Sequence, residues 1–205
     1  MTARHALGAD VPALSRALAE AFADDPMITW VVGIDDRDAR VAAADTGFFA
    51  PSTGGGLKCG HAYTVGPVGG PLAGGALWTP PDVELFGEAE INQLASGLTA
   101  TAGEAALGRL MALGELVGRH HPTQPHFYLF ILGAVEKGTG VGSQVLQPVL
   151  ARCDADGLPA YLESSSARNV SFYERHGFQV TWEEAVEGGG PVMRGMWRNP
   201  GSGRG

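Results

Sequence analysis

Phe127-Tyr128-Leu129-Phe130-Ile131-Leu132 runs straight into Gly133-Ala134-Val135-Glu136-Lys137-Gly138-Thr139-Gly140-Val141-Gly142-Ser143. An apolar run of that length, rich in aromatic and branched residues, predicts a buried strand. The glycines at 138, 140 and 142 allow a tight turn and bring backbone N–H groups near a ligand without interference from a Cβ. From Ser143 onward the apolar spacing is helical. The loop thus delivers a fan of N–H donors to a helix N-terminus, where the helix dipole favours an anion. Phosphate is the natural guest. The spacing Gly138-x-Gly140-x-Gly142 lacks the two residues that the dinucleotide fingerprint needs between its second and third glycines. Gly142-Ser143-Gln144 is not the Gly-Lys-Ser/Thr end of a Walker loop. A glycine turn without a ligand is the alternative, and the next stretch of sequence weighs against it.

That stretch is Ala160-Tyr161-Leu162-Glu163-Ser164-Ser165-Ser166-Ala167-Arg168-Asn169-Val170-Ser171-Phe172-Tyr173-Glu174-Arg175-His176-Gly177-Phe178. It resembles the second signature of the GNAT acyltransferase superfamily, and the glycine loop resembles the first. The specific part is Asn169-x-x-x-Tyr173-Glu174-x-x-Gly177-Phe178. The resemblance is strong over residues 126–198 and recognisable back to the N-terminus, and it is nearest to the actinobacterial branch that includes antibiotic-acetylating enzymes. One departure concerns the loop. The connector from Gly133 to Gly138 is shorter than the family's, and Lys137 stands where Gln or Arg is usual. Lysine faces a phosphate as a point charge rather than as a planar fork.

The resemblance implies an α/β (α+β) fold, a mixed and twisted central sheet with helices on both faces. Its two central strands, residues 126–133 and 159–165, would splay apart at one end. It implies a single acyltransferase domain over residues 1–199, with 200–205 a disordered tail. An acyl thioester of coenzyme A, with acetyl-CoA as the expected co-substrate, would enter the gap. Its pantetheine arm would meet strand backbone at Leu132 and Gly133, and Asn169. Lys137, Gly138, Thr139, Gly140, Val141, Gly142 and Ser143 would hold its pyrophosphate. Tyr173 matches the family's catalytic tyrosine and would act as general acid toward the departing thiolate. Glu163 lies where some relatives carry a carboxylate facing the acceptor. It is the candidate base, with a structural hydrogen-bond acceptor, or activation through water, as alternatives. Phe22, Met27 and Trp30 would wall the amine, with Trp78 near the same end; ordinary core packing is the other reading of each.

Composition bounds the rest. The chain has 205 residues, 44% hydrophobic and 18% charged, which describes a globular chain long enough for a sizeable core. Fourteen Lys and Arg against 22 Asp and Glu give a net charge of −8. That balance lends no global support to nucleic-acid binding, except that an aminoacyl-tRNA donor needs only a local basic groove. Cys59 and Cys153 are too few and too far apart for a four-ligand metal site, so no metal is expected, and a reduced cytoplasmic setting is the simple reading. No run is long enough to span a membrane. A small-molecule amine is the expected partner, and a homodimer stays open.

Along the chain, Asp10-Val11-Pro12 reads as the start of a helix with Asp10 as N-cap and Pro26 as its stop. Asp35 to Phe49 reads as helix and Pro51–Gly60 as a loop. His61–Val65 and Ala73–Trp78 read as antiparallel strands around a turn at Pro67–Pro71. Residues 83–118 read as two helices broken at Gly103, packed on a face of the sheet. His120-His121-Pro122, with no carboxylate nearby in sequence, reads as a solvated loop. Pro148 should kink the helix after the glycine loop, and Asn169 is the expected N-cap of the following short helix. Val180–Trp182 and Val192–Trp197 complete a terminal hairpin. Two further readings compete with acetyl transfer to an amine: a carrier-bound acyl group or aminoacyl-tRNA as donor, and a non-catalytic binding module.

Overall fold

The computed structural model describes residues 2–202. Met1 and residues 203–205, the last part of the expected tail, lie outside the described residues. Among the described residues, seven strands form one sheet in the order β1-β2-β3-β4-β5-β7-β6. They are β1 (Arg4–His5), β2 (His61–Val65), β3 (Gly74–Thr79), β4 (Phe127–Ala134), β5 (Ala160–Ser164), β6 (Gln179–Ala185) and β7 (Val192–Arg198). Only β4 and β5 run parallel; every other pair is antiparallel. The expected mixed sheet is thus present, with helices on both faces.

One face carries α7 (Val141–Asp156) and α8 (Ala167–Arg175), whose Val145, Leu146, Val149 and Tyr173 pack on Ala76, Trp78, Leu129 and Leu162. The other carries α1 (Val11–Ala21), α2 (Pro26–Val32), α3 (Arg37–Ala44) and α4 (Ala50–Lys58), with Leu14, Leu18 and Phe49 packed on Ala62, Leu77 and Ile131. A π-helical stretch, Asp45–Phe49, fuses α3 to α4. Helices α5 (Glu88–Ala102) and α6 (Glu104–His120) flank Gly103, which takes φ +84°. They divide the expected packing between them: α5 packs on the π-helical stretch and α4, away from the sheet, while α6 packs on α2 and, through Leu113, Leu116 and His120, on Met193 of β7 and Trp182 of β6. Val31, Leu98, Leu113, Val186 and Met193 form the core between these elements.

Several local expectations change. Residues 51–58 are helical, not a loop. Gly54-Gly55-Gly56 is a poor helix former in isolation, but tertiary packing selects it: a Cβ on Gly56 would sit 3.1 Å from the Leu77 side chain, so glycine lets α4 lie against β3. Asp10 does not cap α1 through its side chain. Its carboxylate is buried instead against Arg4 at 2.7 and 2.9 Å and the Leu7 N–H at 2.8 Å. Pro26 begins α2 rather than merely ending α1, and α7 passes through Pro148 without stopping. Ser166, not Asn169, occupies the N-cap of α8.

The decisive irregularity is in β4. Leu77 pairs with Ile131 but Trp78 pairs with Leu129, so Phe130 is an extra residue, a β-bulge. Before it, Leu129 faces α7. After it, Phe130 and Ile131 both face the α1 side, and Leu132 turns back toward the α7 side. The parallel ladder with β5 covers only Phe127↔Ala160, Tyr128↔Tyr161 and Leu129↔Leu162. It ends where the bulge begins, and the two strands part there.

Candidate functional site

Two cavities meet where β4 and β5 separate. The first, about 420 Å³, lies over the glycine loop. It is lined by every residue expected to hold a thioester donor: Leu132, Gly133, Lys137, Gly138, Thr139, Gly140, Val141, Gly142, Ser143 and Asn169. Gly138 and Gly140 take φ +79° and +80°, left-handed positions that favour glycine. Gly140 is the N-cap of α7, with no side chain capping the first turn. The N–H groups of that turn are open to a ligand. Val141 is buried, so it offers the cavity backbone rather than side chain. Lys137, Arg168 and Arg175 add three exposed cations to the wall, and among the described residues none of them is ion-paired.

The loop is tied to α8 through a residue that sequence did not single out. His176 Nδ1 lies 2.8 Å from the Phe172 carbonyl and so donates to it; its Nε2, 3.0 Å from Ser143 Oγ, then accepts the Ser143 hydroxyl. Gly142 fits closely against the same helix, since a Cβ there would sit 3.0 Å from Phe172 Cζ.

The second, inner cavity, about 280 Å³, lies between the parted strands, α2, α5, α6 and β7. It shares Phe22, Asp25, Leu132, Asn169 and Tyr173 with the first, so Tyr173 stands at the junction. Tyr173 is buried on the α7 side of the sheet, and its phenol is pushed above its ordinary pKa by burial, then by the charge of Asp25. It stays protonated at any working pH. Asn169, released from capping, lines both cavities.

Asp25 was not anticipated. The signal was there in Asp25-Pro26, an N-cap followed by proline at the first helical position. Its carboxylate accepts from the Met27 N–H at 2.9 Å and from Ser165 Oγ at 2.7 Å, spanning the gap between α2 and the end of β5. Burial raises its pKa, and the bond from Ser165 opposes that rise.

Glu163 lines the inner cavity on β5, the first residue past the last β4–β5 pair. Its side chain is 5% exposed, and its Oε1 has no hydrogen-bond partner among the described residues. His121 Nδ1 lies 3.6 Å away, beyond hydrogen-bond reach. The phenols of Tyr128 and Tyr161 also face this carboxylate; burial raises both, and the Glu163 charge adds to the rise. His121 is therefore not in a solvated loop. Its ring lies edge-on to Tyr128 and Tyr161 at 4.8 and 5.3 Å. His120 is likewise engaged, stacked on Trp182 with its Nε2 2.8 Å from Glu184. No carboxylate is near the pair in sequence; two are near in space.

The expected amine wall is half assembled. Phe22 and Met27 line the inner cavity. Trp30 sits one helical turn on, against Gly190 of the terminal hairpin, and lines neither cavity. Trp78 is fully buried on the α7 face of the sheet, because alternation along β3 sends Leu77 and Trp78 to opposite faces. The walls are instead Phe48, Phe86, Phe130, Leu110, Leu113 and Met193. An outer cavity of about 520 Å³, lined by segments 79–86 and 121–126, shares Phe86, Tyr128 and Phe130 with the inner one. Among the described residues no three His, Cys, Asp or Glu side chains converge on a metal position, and no helix is long and apolar enough to cross a membrane.

Comparison with known proteins agrees with this geometry. The chain matches the family described as Acetyltransferase (GNAT) domain over residues 87–196. It resembles a crystal structure from Corynebacterium glutamicum, titled histone acetyltransferase HPA2 and related acetyltransferase, with a TM-score of 0.69 and 29% identity over 97% of this chain and 96% of that one. Arylalkylamine N-acetyltransferase 2 of Aedes aegypti shares the fold, with a TM-score of 0.57 at 13% identity over 96% and 97% of the two chains. In sequence, 54 residues are 41% identical to an uncharacterized N-acetyltransferase, C550.08, of Schizosaccharomyces pombe, a match that spans 25% of this chain and 22% of that protein. A phosphate-type loop at a helix N-terminus, a parted pair of parallel strands and a shielded tyrosine between two cavities, together with the family match, place this chain in the GNAT acetyltransferase family.

Proposed function

We propose that the protein transfers an acyl group, acetyl foremost, from a coenzyme A thioester to the amine of a small molecule. The observation that carries this reading is the junction of the two cavities at Tyr173: one has the chemistry for a polyphosphate, the other is enclosed and apolar. The diphosphate would lie on the first turn of α7 between Gly138 and Ser143, with Lys137, Arg168 and Arg175 around it. The pantetheine arm would follow the edge of β4 past Leu132 and Gly133, where the ladder with β5 has ended, and reach Asn169.

In the transfer step the amine nitrogen attacks the thioester carbonyl and the C–S bond breaks. Glu163 takes the proton lost by the nitrogen, and Tyr173 gives one to the leaving sulfur and regains it from solvent. A phenol held protonated is suited to that task. Backbone N–H groups of β4 beyond the last β5 pair are available for the oxyanion. Asp25 closes the gap between α2 and β5, and its charge helps to keep the Tyr173 phenol protonated. The three exposed cations and the open helix N-terminus favour coenzyme A over a carrier-bound donor, and the two unpaired cysteines suit a reducing compartment.

Calorimetry with acetyl-CoA and free coenzyme A tests the donor, and thiol release in the presence of an amine panel tests transfer. Binding that is lost when the loop is altered supports the reading. No binding of either compound would refute it.

A further inference from the structure

The direction of one hydroxyl in the donor cavity is set by a histidine outside it. Ser143 lines the cavity over the glycine loop; His176, just past α8, does not, and reaches it through Ser143. The His176 ring is held at both nitrogens. Nδ1 lies 2.8 Å from the Phe172 carbonyl, and Nε2 lies 3.0 Å from Ser143 Oγ. The ring also packs on Phe172, with centroids 4.6 Å apart. A carbonyl oxygen only accepts, so Nδ1 carries a hydrogen whether the ring is neutral or charged. Only the state of Nε2 is free to vary.

With His176 neutral, Nε2 is bare and takes the Ser143 hydroxyl hydrogen. Ser143 Oγ then offers the cavity lone pairs alone, and a phosphate oxygen has no hydrogen to give them. With His176 protonated, Nε2–H donates to Ser143 Oγ instead. The hydroxyl is then free to donate into the cavity, at the first turn of α7 where an anion is favoured. One proton taken from solvent at Nε2 and one rotation of the O–H bond convert Ser143 from an acceptor into a phosphate donor. No covalent bond of Ser143 breaks.

The charges around the ring leave this choice to the ligand. From β7, Arg198 Nε donates to the His176 carbonyl at 2.9 Å, but the guanidinium is paired with Asp154 of α7 at 2.8 and 2.9 Å. On α8, Glu174 is exposed, and Arg175 lines the donor cavity with Lys137 and Arg168. The cavity's carboxylates are Glu136, Asp24 and Asp25. Its three cations oppose a further positive charge until an anion sits among them. Resting on the donor reading above, we propose that His176 is a positioning residue of the donor site: it gains a proton as the diphosphate binds and turns the Ser143 hydroxyl onto it. Protonation and binding then favour each other to the same degree. Because the bound state holds the extra proton, affinity rises as pH falls through the range where histidine ordinarily titrates.

The test is calorimetry with free coenzyme A at pH 6 and pH 8, on the parent protein, His176→Phe and Ser143→Ala. Repeating each titration in two buffers of different ionisation heat counts the protons taken up. Ionisation of the coenzyme's own phosphates is common to all three proteins and cancels between them. The ratio of affinity at pH 6 to that at pH 8 should be about tenfold larger in the parent than in either variant, as for one hydrogen bond to a charged group. Proton uptake should fall in both variants. His176→Gln, which keeps a polar side chain but cannot titrate, should behave as His176→Phe does and guards against a folding defect, with thermal melting as the check. Equal ratios in the parent and the His176 variants overturn the proposal. A ratio retained in Ser143→Ala also overturns it, since His176 would then act as a bare charge. Either result leaves coenzyme A bound and the donor reading standing, whereas no binding by the parent at either pH refutes both.

Discussion

Replacing Tyr173 with phenylalanine removes one oxygen atom from the junction of the two cavities. The ring is buried against Phe172 and Phe178, with centroids 5.1 and 6.0 Å away, and the hydroxyl has no hydrogen-bond partner among the described residues. No protein–protein hydrogen bond is therefore lost, and the ring packing is kept. Stability should change by about 1 kcal/mol or less, because a buried hydroxyl is removed without breaking a hydrogen bond. The chemical effect should be larger. General acid catalysis contributes about 10²–10⁴-fold. A thiol with an ordinary pKa of about 8.5 leaves as a thiolate more readily than an amine would, so the lower end applies. The expected loss in kcat is about a hundredfold, or about 2.7 kcal/mol of barrier at 1.36 kcal/mol per decade, with donor affinity unchanged. Thiol release under saturating donor and acceptor measures kcat, calorimetry measures donor affinity, and thermal melting checks the fold. A Tyr173→Phe enzyme within threefold of the original kcat would refute the acid role. So would a loss confined to KM.

Three further outcomes follow from the geometry. Gly140→Asp should weaken donor binding at least thirtyfold by calorimetry while Gly140→Ala, which suffers the same left-handed backbone strain at φ +80°, weakens it far less; equal losses would trace the effect to strain rather than charge. Gly195→Ala places a Cβ 1.9 Å from Trp182 Nε1, so chemical denaturation should show about 1–3 kcal/mol of destabilisation and loss of the Trp182–Tyr161 hydrogen bond. The third concerns acid. Asp10 is held at a pKa of about 2 by its hydrogen bonds to Arg4, below the unfolded value of about 3.9. Its contribution of about 2 kcal/mol is therefore present above pH 4 and is lost as pH falls from 4 toward 2. In Asp10→Asn the melting temperature should drop at pH 7 and lose part of its acid dependence between pH 4 and 2; an acid limb identical to the parent protein would contradict this.

Local signals in the sequence were enough for the frame. The glycine spacing from 138 to 142, the helix that follows and the Asn169–Phe178 pattern located one cavity and its tyrosine, because each is a contiguous segment whose backbone geometry depends on its own residue types. The acceptor side was far less legible. Phe127–Leu132 is apolar at every position, so no alternation reveals which residue is the extra one, and the bulge at Phe130 is invisible until β3 is laid beside β4. His121 and Glu163 belong to different elements, and their approach is set by how α6 ends beside β5. Asp25 could be read as a helix cap, but its bond to Ser165 joins residues 140 apart in the chain. Gly54–Gly56 misled for the opposite reason: a weak local preference was overruled by close packing on Leu77.

A single inserted residue in β4 also has a bearing on how this protein could diversify. Leu129 and Leu132 belong to the α7 side of the strand, and Phe130 and Ile131 to the opposite side. Changes at Phe130, or at Phe48 and Phe86 which surround it, can therefore alter the shape of the inner cavity while the residues proposed to receive the thioester stay as they are. Selection can retune one partner of the reaction without disturbing the other, and a directed library confined to those three phenylalanines should change which amine is accepted more readily than whether acetyl-CoA is used.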